Sequence, residues 1–155
     1  MITTLNSDHS TIQTWPKNQS YLTFENKNQN FLIICMKLDD ELRLSILEKV
    51  GVYSNRFSIN EPHVFLTTKE VLNAPREITE GRRTTAYKYY GVAYLEHNSI
   101  FFNVKKIPDE KILENTIVHE LIHHRFPYLS HGKRFNKLVR QGLKGKTFPP
   151  YRKRK

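Results

Sequence analysis

Apolar positions are sparse at the start of the chain and regular later on. Residues 1–30 are rich in Asn, Gln, Ser and Thr, and only Trp15, Tyr21, Leu22 and Phe24 offer anchors. This pattern predicts a partly ordered polar arm. Phe31–Met36 is a continuous apolar run, a strand or the start of a helix. Asp39 and Asp40 then open a helix predicted over 40–50, with Leu42, Leu44, Ile46, Leu47 and Val50 as its apolar side and Gly51 at its end. A short strand is predicted at His63–Leu66. Thr67 or Thr68 caps a short helix that stops before Pro75.

Thr, Tyr, Val, Ile and Phe dominate residues 84–104, which predicts β structure. Ala86–Tyr90 and Val92–Glu96 are separated by Gly91, read as a bulge or bend. His97-Asn98 forms a turn before Ser99–Val104 and closes a hairpin. Pro108-Asp109-Glu110 opens a helix, with proline at its first position and acids at the positive end of the dipole. That helix runs to Arg125 or Phe126, because the residue before Pro127 avoids helical angles. Ser130 caps a second helix from His131 to about Gln141, closed by Gly142 and Gly145. The expected fold is α+β, with a small, mostly antiparallel sheet packed with helices. It occupies residues 31–142, between the polar arm (1–30) and a basic tail (143–155).

At 155 residues the chain is long enough for one real core and too short for two full-sized domains. Its longest apolar run, six residues, cannot cross a bilayer. The start, Met1-Ile-Thr-Thr-Leu-Asn-Ser-Asp8, has neither a basic head nor an apolar signal core, so a cytoplasmic location and no membrane partner are expected. A single cysteine, Cys35, rules out an internal disulfide and a cysteine-built zinc ribbon, and is expected to be buried and inert. The net charge of +10 is concentrated at one end: residues 121–155 hold 11 basic and no acidic side chains. Lys133, Arg134, Lys137, Arg140, Lys144, Lys146, Arg152, Lys153, Arg154 and Lys155 form a candidate nucleic-acid surface, DNA being the expected polyanion. The competing reading is a solubilising tail.

The chemistry lies in His119-Glu120-Leu121-Ile122-His123, an H-E-x-x-H pattern. Residues four apart on a helix point the same way, so two imidazoles can share one zinc ion. With Ile117 at zero and about 100° per residue, Leu113, Ile117, Val118, Leu121 and Ile122 span an arc from about −40° to 140°. Thr116, His119, Glu120 and His123 lie opposite, from about 200° to 300°. Glu114 falls inside the apolar arc, with no account from sequence. A catalytic zinc needs a third protein ligand and an open position for water. No Asp or Glu follows Glu120, which leaves His131 as the first candidate and His63, His97 or His9 as alternatives. On an unbroken helix His131 would lie about 12 Å beyond His123, so Pro127 must turn the chain back.

His119-Glu-x-x-His123 followed by His131-Gly132-Lys-Arg-Phe135 resembles the SprT-like (Spartan-type) zinc metallopeptidases. The likeness covers mainly residues 85–140. The resemblance implies a zincin-like domain with His119, His123 and His131 as ligands of one zinc ion per chain. It further implies that Glu120 is the catalytic acid/base, and that the substrate is protein crosslinked to DNA, with DNA as activator. Many members carry a cysteine zinc ribbon or another DNA-binding module downstream; here only a basic tail follows.

Such chemistry uses an oxyanion donor, for which Tyr128, Tyr94 and Tyr90 are the candidates. Val92–Glu96 is expected to offer a free strand edge to an extended peptide. Phe135 is expected beneath the metal; His124 is read either as a group supporting the metal ligands from behind or, preferred, as facing solvent. The alternative function is a nucleic-acid-binding protein whose zinc site is structural or vestigial. The pattern leaves the oligomeric state undetermined.

Overall fold

The structure, a computed structural model, describes residues 22–24, 33–35, 38–82 and 86–150. Strands β1 (Leu22–Phe24) and β2 (Ile33–Cys35) pair antiparallel, with Leu22 opposite Cys35. Trp15, Tyr21 and His9 lie outside the described residues, as do Arg152, Lys153, Arg154 and Lys155.

Helix α1 spans Asp40–Phe57, and the Asp39 side chain caps it by accepting from the Leu42 N–H at 2.8 Å. Gly51 does not end it. Tyr53, Ser54 and Phe57 continue the buried stripe of Leu42, Ile46 and Val50, so packing carries the helix past the glycine to a left-handed stop at Ser58. Leu44 falls outside the stripe and is exposed. Strand β3 (His63–Phe65) leads to α2 (Thr68–Asn73), capped reciprocally by Thr67 and Glu70.

Strands β4 (Gly91–Tyr94) and β5 (Ser99–Phe102) form the expected antiparallel hairpin, Gly91 facing Phe102 and Tyr94 facing Ser99. The sheet order is β3-β5-β4, and β3 pairs with β5 in parallel. The sheet is therefore mixed, not mostly antiparallel: β3 enters by a crossover through α2 and not by a hairpin. Residues 86–90 do not form the expected strand. Ala86–Lys88 is a 3-10 turn, and Tyr87, Lys88, Tyr89 and Tyr90 are all exposed, so there is no alternation to bury one strand face.

Helix α3 (Glu110–Arg125) starts from an Asp109 cap, with Pro108 one residue outside it. Helix α4 (Lys133–Leu143) starts after Gly132, without a side-chain cap from Ser130. The stretch before it is used in a turn, in which the Leu129 N–H reaches the Phe126 carbonyl at 2.9 Å.

The main core lies between α1, α3, α4 and one face of the sheet, built from Ile46, Val50, Phe57, Ile100, Phe102, Ile117, Leu121 and Phe135. Phe65, Val71, Val92, Tyr94 and Phe101 form a second cluster beneath α2. Glu114 accepts a 2.6 Å hydrogen bond from the Tyr53 hydroxyl of α1, which explains a carboxylate on the apolar side of α3. The segment read as a tail joins the fold before it ends. Phe148 is 6% exposed and packs its ring on Phe57 and Phe126; its N–H donates to the Arg56 carbonyl, and Arg125 donates to the Pro149 carbonyl. No helix among the described residues is long and apolar enough to cross a membrane.

Candidate metal centre and its cleft

The apolar arc of α3 buries Leu113, Ile117, Val118, Leu121 and Ile122, which fixes the opposite arc against the edge strand β4. That opposite arc carries His119, Glu120 and His123. Phe126 caps α3 before Pro127, and the following turn brings His131 back over the helix. The His131 Nε2 lies 2.9 Å from the His119 Nε2 and 3.0 Å from the His123 Nε2. The three histidines lie close enough to bind a metal ion, and no other such group occurs among the described residues. His63 instead stacks edge-on with Phe65, and His97 is exposed in the β4–β5 turn.

The donor set fits a cation better than it fits itself. A ring nitrogen has either one proton or one in-plane lone pair. The His131 Nε2 therefore cannot satisfy both neighbours at once, whereas one cation would accept a lone pair from each ring. Tetrahedral zinc with Zn–N near 2.0–2.1 Å places its nitrogens about 3.3–3.4 Å apart, a small widening of the spacing found here. Burial, reinforced by the charge of His131, pushes the His119 pKa down to about 4. Burial, with contributions from His119, His131 and His124, pushes His123 down to about 4 as well. Both rings are thus neutral at pH 7, as metal ligands must be. Phe135 is fully buried beneath all three rings, with centroids 4.8, 4.4 and 5.0 Å from those of His119, His123 and His131.

Glu120 is buried beside this cluster. Burial raises its pKa to about 7, against the lowering effects of the hydrogen bond it accepts from the Ala93 N–H and of the charge of Arg82. Gly91 lets the edge strand come this close: a Cβ there would lie 2.8 Å from the Glu120 Cγ and from the Thr116 Cγ2. The sequence marked Gly91 as a bend and missed this contact. The only available signal was an isolated glycine inside a β-rich run.

A cleft of about 780 Å³ opens over the histidines, walled by Arg82, Tyr89, Tyr90, Gly91 and Asn115. Of the oxyanion candidates only Tyr90 lines it. Tyr94 is buried on the other face of the sheet, in the cluster under α2, because strand alternation turns it away from α3. Tyr128 is exposed outside the cleft and meets Phe126 edge-on. Arg82 and Tyr89, which the sequence did not single out, line the cleft. His124 does not face solvent: it bonds the Ser99 carbonyl, and its Nε2 is buried without a hydrogen-bond partner. Lys133, Arg134, Lys137, Arg140 and Lys144 are exposed along α4 directly after His131, followed by exposed Lys146. No family model, curated protein or solved structure matches this chain.

Proposed function

We propose that the protein is a zinc metallopeptidase of the SprT-like, zincin kind, acting on proteins associated with or crosslinked to DNA. The observation that carries this reading is the convergence of three imidazole nitrogens beside a buried carboxylate whose pKa is raised to about 7. A structural site has no use for such a base, which favours catalysis over a vestigial centre. His119, His123 and His131 would hold the ion. When bound, zinc supplies Lewis acidity towards a carbonyl oxygen and acidifies a water molecule.

The remaining work falls to the chain's own groups. Glu120 takes the proton of the attacking water at its carboxylate and returns it to the leaving nitrogen. The Ala93 N–H holds that carboxylate in place. Phe135 fixes the ring orientations from below. Tyr90, and beside it Tyr89, at the cleft wall, are the hydroxyl candidates for the oxyanion. The exposed basic residues of α4 begin two residues after His131, which supports a polyanion partner for this side of the protein.

The test is zinc analysis combined with cleavage of casein and of a DNA-bound protein. Glu120→Gln should retain zinc and lose about 10²–10⁴-fold in rate, the usual contribution of a general acid–base. A Glu120→Gln protein that cleaves as well as its parent would refute the assignment.

A further inference from the structure

β4 is an edge strand of the sheet and lines the cleft, so a peptide backbone could add to its outer edge as a further strand. The Asn103 N–H donates to the Tyr90 carbonyl, which makes 90 and 103 a hydrogen-bonded pair. By antiparallel alternation Val92 and Tyr94 also bond inward to β5, while Gly91 and Ala93 point their N–H and C=O groups outward. Ala93 has already used both. Its N–H goes to Glu120, and its carbonyl accepts from the Arg82 Nη2 at 2.8 Å. Further along, the Glu96 N–H donates to the Glu80 Oε1 at 3.2 Å. Glu80 and Arg82 are themselves ion-paired, and the guanidinium lies 5.2 Å above the Tyr94 ring. The turn that carries them is anchored by fully buried Thr79 and by Ile78 packed against the second cluster. Of the two outward-facing residues of β4, Gly91 has a backbone pair that no other described residue engages, which leaves it for a ligand.

We propose that Glu80 and Arg82 cap the substrate-binding edge of β4, so that a bound peptide pairs at Gly91 and cannot continue along the strand past Ala93. This deepens the metallopeptidase reading and rests on it. Arg82 is then a specificity-determining residue. In antiparallel pairing the arm of the peptide that runs N-terminal from the metal meets the cap, and the other arm does not. The substrate class that follows is polypeptide recognised mainly on the C-terminal side of the cleaved bond.

Two series of peptide hydroxamates test this on the zinc-loaded full chain, because the hydroxamate fixes the register at the metal. One series carries it at the peptide C-terminus and extends N-terminally; the other carries it at the N-terminus. Lengthening from one residue to four should tighten binding about tenfold in the second series, as two more main-chain hydrogen bonds would. The gain should be less than about twofold in the first. Arg82→Ala frees the Ala93 carbonyl while its N–H stays on Glu120, so it should raise the gain of the first series to about threefold, as one main-chain hydrogen bond would. Glu80→Gln, which weakens the ion pair but keeps its shape, should move it the same way if Arg82→Ala melts too early to assay. Equal gains in the parent protein, no gain in either series, or an asymmetry unmoved in the folded variants overturns the cap. Failure of acetohydroxamate itself to bind the zinc-loaded chain overturns the metallopeptidase reading, and the cap with it.

Discussion

Gly91 and Glu120 touch so closely that one added methyl group on the glycine would lie 2.9 Å from the Glu120 Oε1. Strand and site helix are therefore matched at a point where any side chain must push the carboxylate or the strand aside. Gly91→Ala should leave the zinc content at one per chain and lower peptide hydrolysis about 10²-fold, the order expected when a reacting group is displaced by about 1 Å. Metal analysis alongside initial rates checks this, and unchanged kcat would show that the contact has no bearing on catalysis.

Phe135 is the shared floor of the three imidazoles. Phe135→Ala should cost about 3–5 kcal/mol in denaturant unfolding, as buried Phe truncations do. Phe135→Leu should cost less and still weaken zinc binding, because it leaves the rings less well supported. Competition with a chromogenic chelator measures the second effect separately from the first.

The buried Glu120 gives the metal-free protein a definite pH signature. Its folded pKa, about 7, lies above the unfolded value of 4.5. Its stabilising contribution is thus fully present below pH 4.5 and is lost as pH rises through 7. Glu120→Gln should remove that loss, so the metal-free variant should melt higher than its parent at pH 8, by up to roughly 3 kcal/mol. The two should converge near pH 4.5. His119 and His123 run the other way. Their folded pKa values, about 4, lie below the usual 6.5, so their contribution is present above pH 6.5 and is lost as pH falls towards 4. Thermal melts of the chelator-treated proteins across pH 4–8 read both.

Phe148 anchors the C-terminal segment through Phe57 and Phe126. Phe148→Ala, or truncation after Leu143, should destabilise the fold by about 3–5 kcal/mol by removing the aromatic packing. Neutralising Arg152, Lys153, Arg154 and Lys155 should leave the melting temperature unchanged. Under the DNA-binding reading it should also flatten the plot of log affinity against log salt, its slope falling by about one for each phosphate no longer neutralised. A salt slope that does not move would assign those four residues to solubility alone.

How much of this was legible beforehand depended on whether the signal was local. The caps at Asp39 and Thr67, the β4–β5 hairpin and the end of α3 before Pro127 are set by neighbours in sequence, and all are found, although α3 opens later than expected, with Asp109 as its cap and Pro108 outside it. The H-E-x-x-H motif put two imidazoles on one helix face, and His131 was the first of several candidates for a third, named also by the resemblance; the three rings do converge. What depends on distant parts of the chain was not legible. Gly51 is overridden by the packing of Tyr53 and Phe57, and β3 pairs in parallel with a strand more than thirty residues away. The same is true of the Tyr53–Glu114 bond between α1 and α3, and of the Arg82 and Glu80 hydrogen bonds to β4 and the turn after it. Tyr94 was misplaced because one residue of strand register decides which face of the sheet it occupies.

Metal stoichiometry of the purified chain, set against His131→Ala, bears most directly on the centre of the account. Three converging imidazoles predict one tightly held zinc ion per chain, and binding weakened by orders of magnitude when His131 is removed. A chain that takes up no zinc at neutral pH, or that holds it equally well without His131, would contradict it.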